Sequence, residues 1–229
     1  MSWLRSLFFV RRCPYCHTVL TGTQPECDGC RAQFPEKIYH RQLPGGDHCL
    51  APFRYAAPVS NSILTLKQTP ASTCIESFSR QMVRILEQVN IHPDVITCIP
   101  LYWQNQWQRG FNQSEKLARC TARLLHCPYQ ALLKKIRKNE VQHHLSAEQR
   151  VKNVIGAYAY CGSRSLEGQT VLLMDDVCTT GSTLDECTRI LHQQGHATTV
   201  IGVTAAMAGA STELYGKDPA VLRQLIAGS

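Results

Sequence analysis

From about Ala51 onward, apolar residues recur with two interleaved periods. Ile63 to Lys67 and Ile75 to Val89 carry them at helical spacing, and Val95 to Ile99 is a short apolar strand ended by Pro100. Phe111 to His126 is amphipathic, with Phe111, Leu117, Cys120, Leu124 and Leu125 on one broad face. Alternation is weaker at Ala157 to Tyr160. Thr170 to Met174 then reads as a buried strand, Ser182 to Gln194 as a helix with Gly195 at its C-cap, and Thr198 to Thr204 as another strand. Strands alternating with helices predict an α/β fold, a mainly parallel sheet flanked by helices on both faces. Ligands of such sheets bind beyond the carboxyl ends of the strands. The first fifty residues lack this rhythm. The pattern therefore predicts a small N-terminal unit at 1–50 and a main domain at 51–229. Arg31 to Gly46, with Pro35, Pro44 and the Gly45-Gly46 pair, reads as a loop-rich linker.

Composition narrows the class. In 229 residues, 44% are hydrophobic and 18% charged, enough apolar material for a core and too little charge for a disordered chain. No window approaches the roughly 18 continuous apolar residues of a membrane-spanning helix. Leu4 to Val10 is interrupted by Arg5 and runs into Arg11, Arg12 and a cysteine cluster without a small-residue cleavage site. A signal peptide and membrane insertion are not expected. Twelve cysteines, most of them scattered singly through apolar stretches as at Cys74, Cys98 and Cys178, point to a reducing, cytoplasmic compartment. The net charge of +7 is concentrated in residues 100–155, which hold ten Lys or Arg against three Asp or Glu. Such a local field suits phosphates, on a small ligand or on nucleic acid, although a solvated basic face gives the same count.

Candidate chemistry begins at CPYCHTVLTGTQPECDGC, a C-x2-C, ten residues, and a second C-x2-C. Two such turns bring the thiolates of Cys13, Cys16, Cys27 and Cys30 together as four soft ligands for a structural Zn²⁺. Gly22, Pro25 and Gly29 suit a compact knuckle. A thioredoxin-like redox pair would need a following helix in a βαβ unit, and the pattern shows none there. A four-thiolate site is closed, so it holds a fold together and leaves no position for catalysis.

The most informative stretch is VLLMDDVCTTGSTL, residues 171–184. An apolar strand ends in Asp175 and Asp176, and Thr179, Thr180, Gly181, Ser182 and Thr183 then open a helix. Small residues let backbone N–H groups converge on an anion, hydroxyls add donors, and the helix dipole favours negative charge. A phosphate fits that bend. Two carboxylates beside a phosphate must face something else on the ligand, and vicinal sugar hydroxyls are the natural candidate. Phosphate and adjoining diol together describe a ribose 5-phosphate. The Gly-Lys-Ser/Thr of a nucleotide P-loop is absent.

These residues resemble the phosphoribosyl-pyrophosphate (PRPP) loop of type I phosphoribosyltransferases. With the CxxC pairs, IPLYWQNQWQRGFNQSEKLA at 99–118 and QHHLSAEQRVKNVIGAY at 142–158, the chain resembles the ComF family of competence proteins, with its ComFC and GntX-like members, from Cys13 to about Val203. The resemblance implies a type I phosphoribosyltransferase sheet in which Asp175 and Asp176, the expected catalytic pair, bind the PRPP hydroxyls. Thr179, Thr180, Gly181, Ser182 and Thr183 would cradle its 5-phosphate. The loop after Pro100 would hold pyrophosphate, with Arg109 as its nearest cation. Arg150, Lys152 and Asn153 would close over the ligand, and Mg²⁺ would ride on the ligand's own oxygens. It further implies a part in uptake or processing of single-stranded DNA in natural transformation, beside proteins such as a helicase or a recombination mediator. Relatives often carry two further CxxC pairs and basic residues after the Pro-Leu dipeptide; here HRQLPGGDHCL keeps only Cys49, and Tyr102, Trp103 and Gln104 follow Leu101.

Two functional classes stay open. One is an active transferase that passes ribose 5-phosphate from PRPP to a base or amine acceptor, and no residue identifies that acceptor. The other is a nucleic-acid-binding protein that keeps the pocket as sensor or phosphate grip. For the second, Trp103, Trp107 and Arg109, then Lys134, Lys135, Arg137 and Lys138, and finally Arg150 and Lys152, interleave rings with cations as single strands require. Trp107 and Phe111, four residues apart, fit helix packing equally well.

Overall fold

The computed structural model describes residues 10–69, 72–102, 107, 110–137 and 153–214. Its elements, in chain order, are α1 (Asp28–Arg31), β1 (Ile38–Gln42), β2 (His48–Ala51), β3 (Phe53–Arg54), α2 (Val59–Gln68), α3 (Ser72–Gln88), β4 (Val95–Cys98), α4 (Gln113–Leu124), β5 (Leu133–Lys135), β6 (Tyr158–Tyr160), β7 (Thr170–Cys178), α5 (Ser182–Gln193), β8 (Thr199–Met207) and β9 (Thr212–Leu214). The main sheet runs β4-β7-β8-β2-β1-β9, with β3 also pairing β8. Its centre is parallel: β4 with β7, β7 with β8, and β8 with β2 and β3. β1 and β9 close the far edge antiparallel. The β5–β6 hairpin stands apart as a two-stranded sheet.

Strand alternation decides which side each apolar residue feeds. Ile38, Leu50, Ile96, Leu172, Met174, Ile201 and Val203 join Ile63, Phe78, Met82, Leu86 and Leu117 of α2, α3 and α4 in one core. Their neighbours Tyr39, Cys49, Val95, Val171, Leu173 and Val200 join Leu184, Cys187, Ile190 and Leu191 of α5 in the other. Both faces are covered, which explains why β7 and β8 read as continuous apolar runs. No helix among the described residues is long and apolar enough to cross a membrane.

Three local expectations change. The stretch read as a linker contains β1, and β2 enters the parallel sheet beside β8. The flanking prolines and glycines mask two short strands joined by a tight turn, in which Leu43 N–H donates to the Asp47 carbonyl (2.7 Å) and Gly46 takes φ 101°. β7 continues four residues past Met174, so the acidic pair lies within the ladder, with Asp175 opposite Thr204. Finally, Gly195 follows a helix capped by Gln194. Space is what it supplies: a Cβ there would stand 2.7 Å from the Leu191 carbonyl oxygen, and His196 takes the left-handed φ of 58°.

The cysteine knuckle sits on this frame. Arg12 and Val19 form a β-bridge, and the Tyr15 ring packs edge-on against Phe34 and Phe78 at centroid distances of 5.2 and 5.9 Å. The Tyr15 hydroxyl hydrogen-bonds Ser77 Oγ (2.9 Å), and Ser62 Oγ donates to the Pro14 carbonyl (2.6 Å).

Candidate functional site

β7 delivers two adjacent carboxylates to its carboxyl end, and a strand turns consecutive side chains to opposite faces. Asp176, 6% exposed, follows Met174 and Leu172 toward the helices of the first core. There it accepts from Lys67 Nζ of α2 (3.1 Å) and from Gln113 Nε2 of α4 (3.1 Å). Asp175 is partly exposed; its Oδ1 accepts from Ser114 Oγ (2.7 Å) and from the Asp176 backbone N–H (2.9 Å). Burial, and then the neighbouring Asp176 charge, push its carboxyl up to about 7, outweighing the hydrogen bond from Ser114. The two acids are thus unlike each other: Asp176 pairs with Lys67, whereas Asp175 has no ion pair among the described residues.

The bend after β7 is built for close approach. Gly181 takes φ 86°, and a Cβ there would lie 2.8 Å from Leu43 Cδ2. Thr180 Oγ1 and Ser182 Oγ hydrogen-bond each other (2.9 Å), and Asp185 N–H donates to the Gly181 carbonyl to start α5. The first turn of this helix leaves N–H groups without partners inside the helix. Arg41 at the end of β1 braces the bend from behind: its guanidinium donates to the carbonyls of Thr179, Ala208 (2.7 Å) and Ala210, and reaches Cys178 Sγ (3.7 Å). Cys178 is not an isolated thiol. Hydrogen bonding with Cys49, assisted by Arg41 against the effect of burial, lowers it to about 7.

The RGFNQ block builds the opposite wall. Asn112 caps α4, its Oδ1 accepting from Ser114 N–H (3.0 Å), while its Nδ2 donates to the Ile99 carbonyl (3.1 Å). Asn112 therefore fixes the loop after β4 to the helix that carries Gln113 and Ser114. Gln113 Oε1 is buried with no hydrogen-bond partner.

The expected nucleic-acid residues separate. Trp107 is 86% exposed, so it does not serve as a packing residue, and Lys134 is exposed. Lys135 stands opposite Tyr158 in the β5–β6 ladder, its Nζ 5.0 Å from the ring centroid, and burial lowers its pKa. Arg137 Nη2 donates to the carbonyls of Ile155 (2.8 Å) and Asn153 (3.5 Å). Trp103, Arg109, Lys138, Arg150 and Lys152 lie outside the described residues. Lys67, Gln113, Ser114 and Arg41 were not legible as site residues. Gln113 and Ser114 stood inside a block already singled out, whereas Lys67 and Arg41 carry no sequence signal.

At the knuckle, the Sγ atoms of Cys13, Cys16, Cys27 and Cys30 all lie within 4.8 Å of one another, with Cys16 and Cys27 3.5 Å apart. Hydrogen bonding with Thr18 draws the Cys16 thiol down to about 6, and burial pushes Cys30 up. Four thiols at this spacing can hold a tetrahedral soft or borderline metal ion.

The fold is that of a phosphoribosyltransferase-type domain, and residues 76–225 match the phosphoribosyl transferase domain family. The chain is 31% identical over 194 residues to the DNA utilization protein YhgH of Shigella flexneri, covering 81% of this chain and 80% of that one. It is 28% identical over 224 residues to competence protein F of Haemophilus influenzae, covering 82% and 93%. With competence protein ComFC of Bacillus subtilis it shares 33% identity over 118 residues, 50% of this chain and 46% of that protein. The chain belongs to the ComF family, built on the phosphoribosyl transferase domain.

Proposed function

We propose that the chain binds PRPP, or a closely related ribose 5-phosphate, at the end of β7, and uses that site in the handling of single-stranded DNA in the cytoplasm. The observation that carries the ligand is the asymmetric acidic pair followed by a left-handed glycine and a helix N-terminus. The 5-phosphate would take the N–H groups and hydroxyls from Thr179 to Thr183, and Asp175, the accessible carboxylate, would accept from the ribose hydroxyls. Asp176, tied to Lys67 and Gln113, would hold the second position rigid. Because Asp176 is already neutralised, Mg²⁺ would enter on the diphosphate oxygens of the ligand and not on a protein cage. Zn²⁺ would occupy the four thiols as a structural ion. Twelve free thiols suit a reducing compartment, and relatives named for DNA utilization and competence favour the nucleic-acid role.

Calorimetric titration with PRPP, with and without Mg²⁺, tests the pocket. Binding that strengthens with Mg²⁺ and weakens at least tenfold in Asp175→Asn and in Thr180→Val is expected. Absence of binding, or affinity indifferent to both substitutions, would refute the assignment.

A further inference from the structure

We infer that the open groove between α3 and α4 is a binding track for single-stranded nucleic acid. This rests on the nucleic-acid role proposed above and places it on one face of α4, within the basic stretch 100–155. The groove, about 1190 Å³, has an apolar floor that includes Ile75 and Cys120, and its rim carries Lys116, Arg119 and Arg123. These cations fall at i, i+3 and i+7 on the exposed side of α4, a line about 10 Å long at 1.5 Å per residue. Neither Lys116 nor Arg123 has an acidic partner among the described residues. The one acid lining the groove, Glu76, is engaged by Arg80 (2.8 Å).

Arg119 gives the groove a feature that plain charge would not. Its guanidinium carbon stands 4.2 Å from the Tyr129 ring centroid, and its Nε donates to Glu115 (2.8 Å). Ring and carboxylate hold the fork in place, yet the side chain remains 56% exposed. A guanidinium fixed on one face and open on the other is a platform on which a base stacks, while flanking cations meet the backbone phosphates. A duplex keeps its base faces inside its own stack, so an apolar floor with a stacking platform favours an unpaired strand. The groove's three cations run from the first turn of α4 to the last.

The test is fluorescence anisotropy with labelled dT20, an abasic oligonucleotide of equal length, and polyglutamate as competitor, on the full chain across a salt series. Lys116→Gln with Arg123→Gln should weaken dT20 binding about tenfold. It should also lower the salt slope by about 1.4, the share of two phosphate contacts on a single strand. Arg119→Lys should remove the preference for dT20 over the abasic chain while keeping the slope. Thermal melts should be unchanged, since all three side chains are exposed. Wild-type binding that survives all three substitutions would overturn this location and leave the nucleic-acid role standing. No wild-type binding at any salt would overturn both. Polyglutamate competing as well as unlabelled dT20 would overturn nucleic acid as the occupant. PRPP calorimetry on the same variants should match wild type, which separates failure here from failure of the ribose-phosphate pocket.

Discussion

The knuckle and the acidic end of β7 solve the same problem, holding charge-bearing groups close together, by opposite means. All four thiols of the knuckle come from eighteen consecutive residues, and their meeting depends on two tight turns and the ion they can hold. The groups around Asp175 and Asp176 come from α2, α4 and β7, and no local turn brings them together. Tertiary packing places them, with both cores of the sheet behind it. A locally built site should fail when its ion is removed, and a tertiary one when a distant partner is cut.

The largest effect is therefore expected at the knuckle. Structural zinc supplies on the order of 10 kcal/mol to small four-ligand sites, far more than the few contacts of a short loop. An excess of EDTA, or Cys27→Ser, should release one metal ion per chain and abolish hydrogen-exchange protection over residues 12–34. Protection of β7 and β8 should persist, because their ladder and the second core contain no knuckle thiol, although Cys13 joins the first core. Full protection in metal-free protein would show that docking of Tyr15 onto Phe34 and Phe78 suffices alone.

The same contrast explains what the sequence disclosed. The CxxC pairs and the Thr179–Thr183 bend were legible because ligand spacing and turn chemistry are written in neighbouring residues. The central strands were legible as apolar runs between helical periods. Lys67 was not, because one lysine near the end of a helix looks like any solvated cation until α2 is packed beside β7. Arg41 was hidden by the proline and glycine signals around it, which suggested a linker where β1 forms. The two aspartates read as equivalent, since adjacency in sequence does not say which face of the sheet each will meet.

A distant cut should cost less than metal loss, and it should be reparable. Lys67→Met leaves the 6%-exposed Asp176 carboxylate without its cation. Breaking a fully buried pair costs several kcal/mol; with Lys67 itself 32% exposed, about 1–3 kcal/mol is expected, a loss of roughly 3–10 °C in Tm. Adding Asp176→Asn removes the orphaned charge and should restore at least half of the loss. A Lys67→Met variant as stable as wild type would mean that Gln113 alone satisfies Asp176, and the acidic end would then resemble the knuckle in relying on few partners.

The smallest effect concerns Asp175, and it carries a sign that distinguishes a functional carboxylate from a structural one. The folded carboxyl titrates near 7, against 3.8 for an ordinary aspartate. Between those values the native chain retains a proton that the unfolded chain has released, so stability falls as pH rises through the window and the full cost is present above 7. Below about pH 3 both states are protonated and the cost vanishes. Asp175→Asn keeps an oxygen to accept from Ser114 Oγ and from Asp176 N–H, and it removes the charge. It should match wild type at pH 3 and exceed it by about 1–2 kcal/mol at pH 8, a gain of roughly 3–6 °C. Chemical denaturation at the two pH values reads this directly. An equal difference at both, or a less stable variant at pH 8, would show that Asp175 is held ionised by its neighbours. A gain confined to high pH would mark a carboxylate kept at a cost to the fold, whose compensation must lie in what it binds.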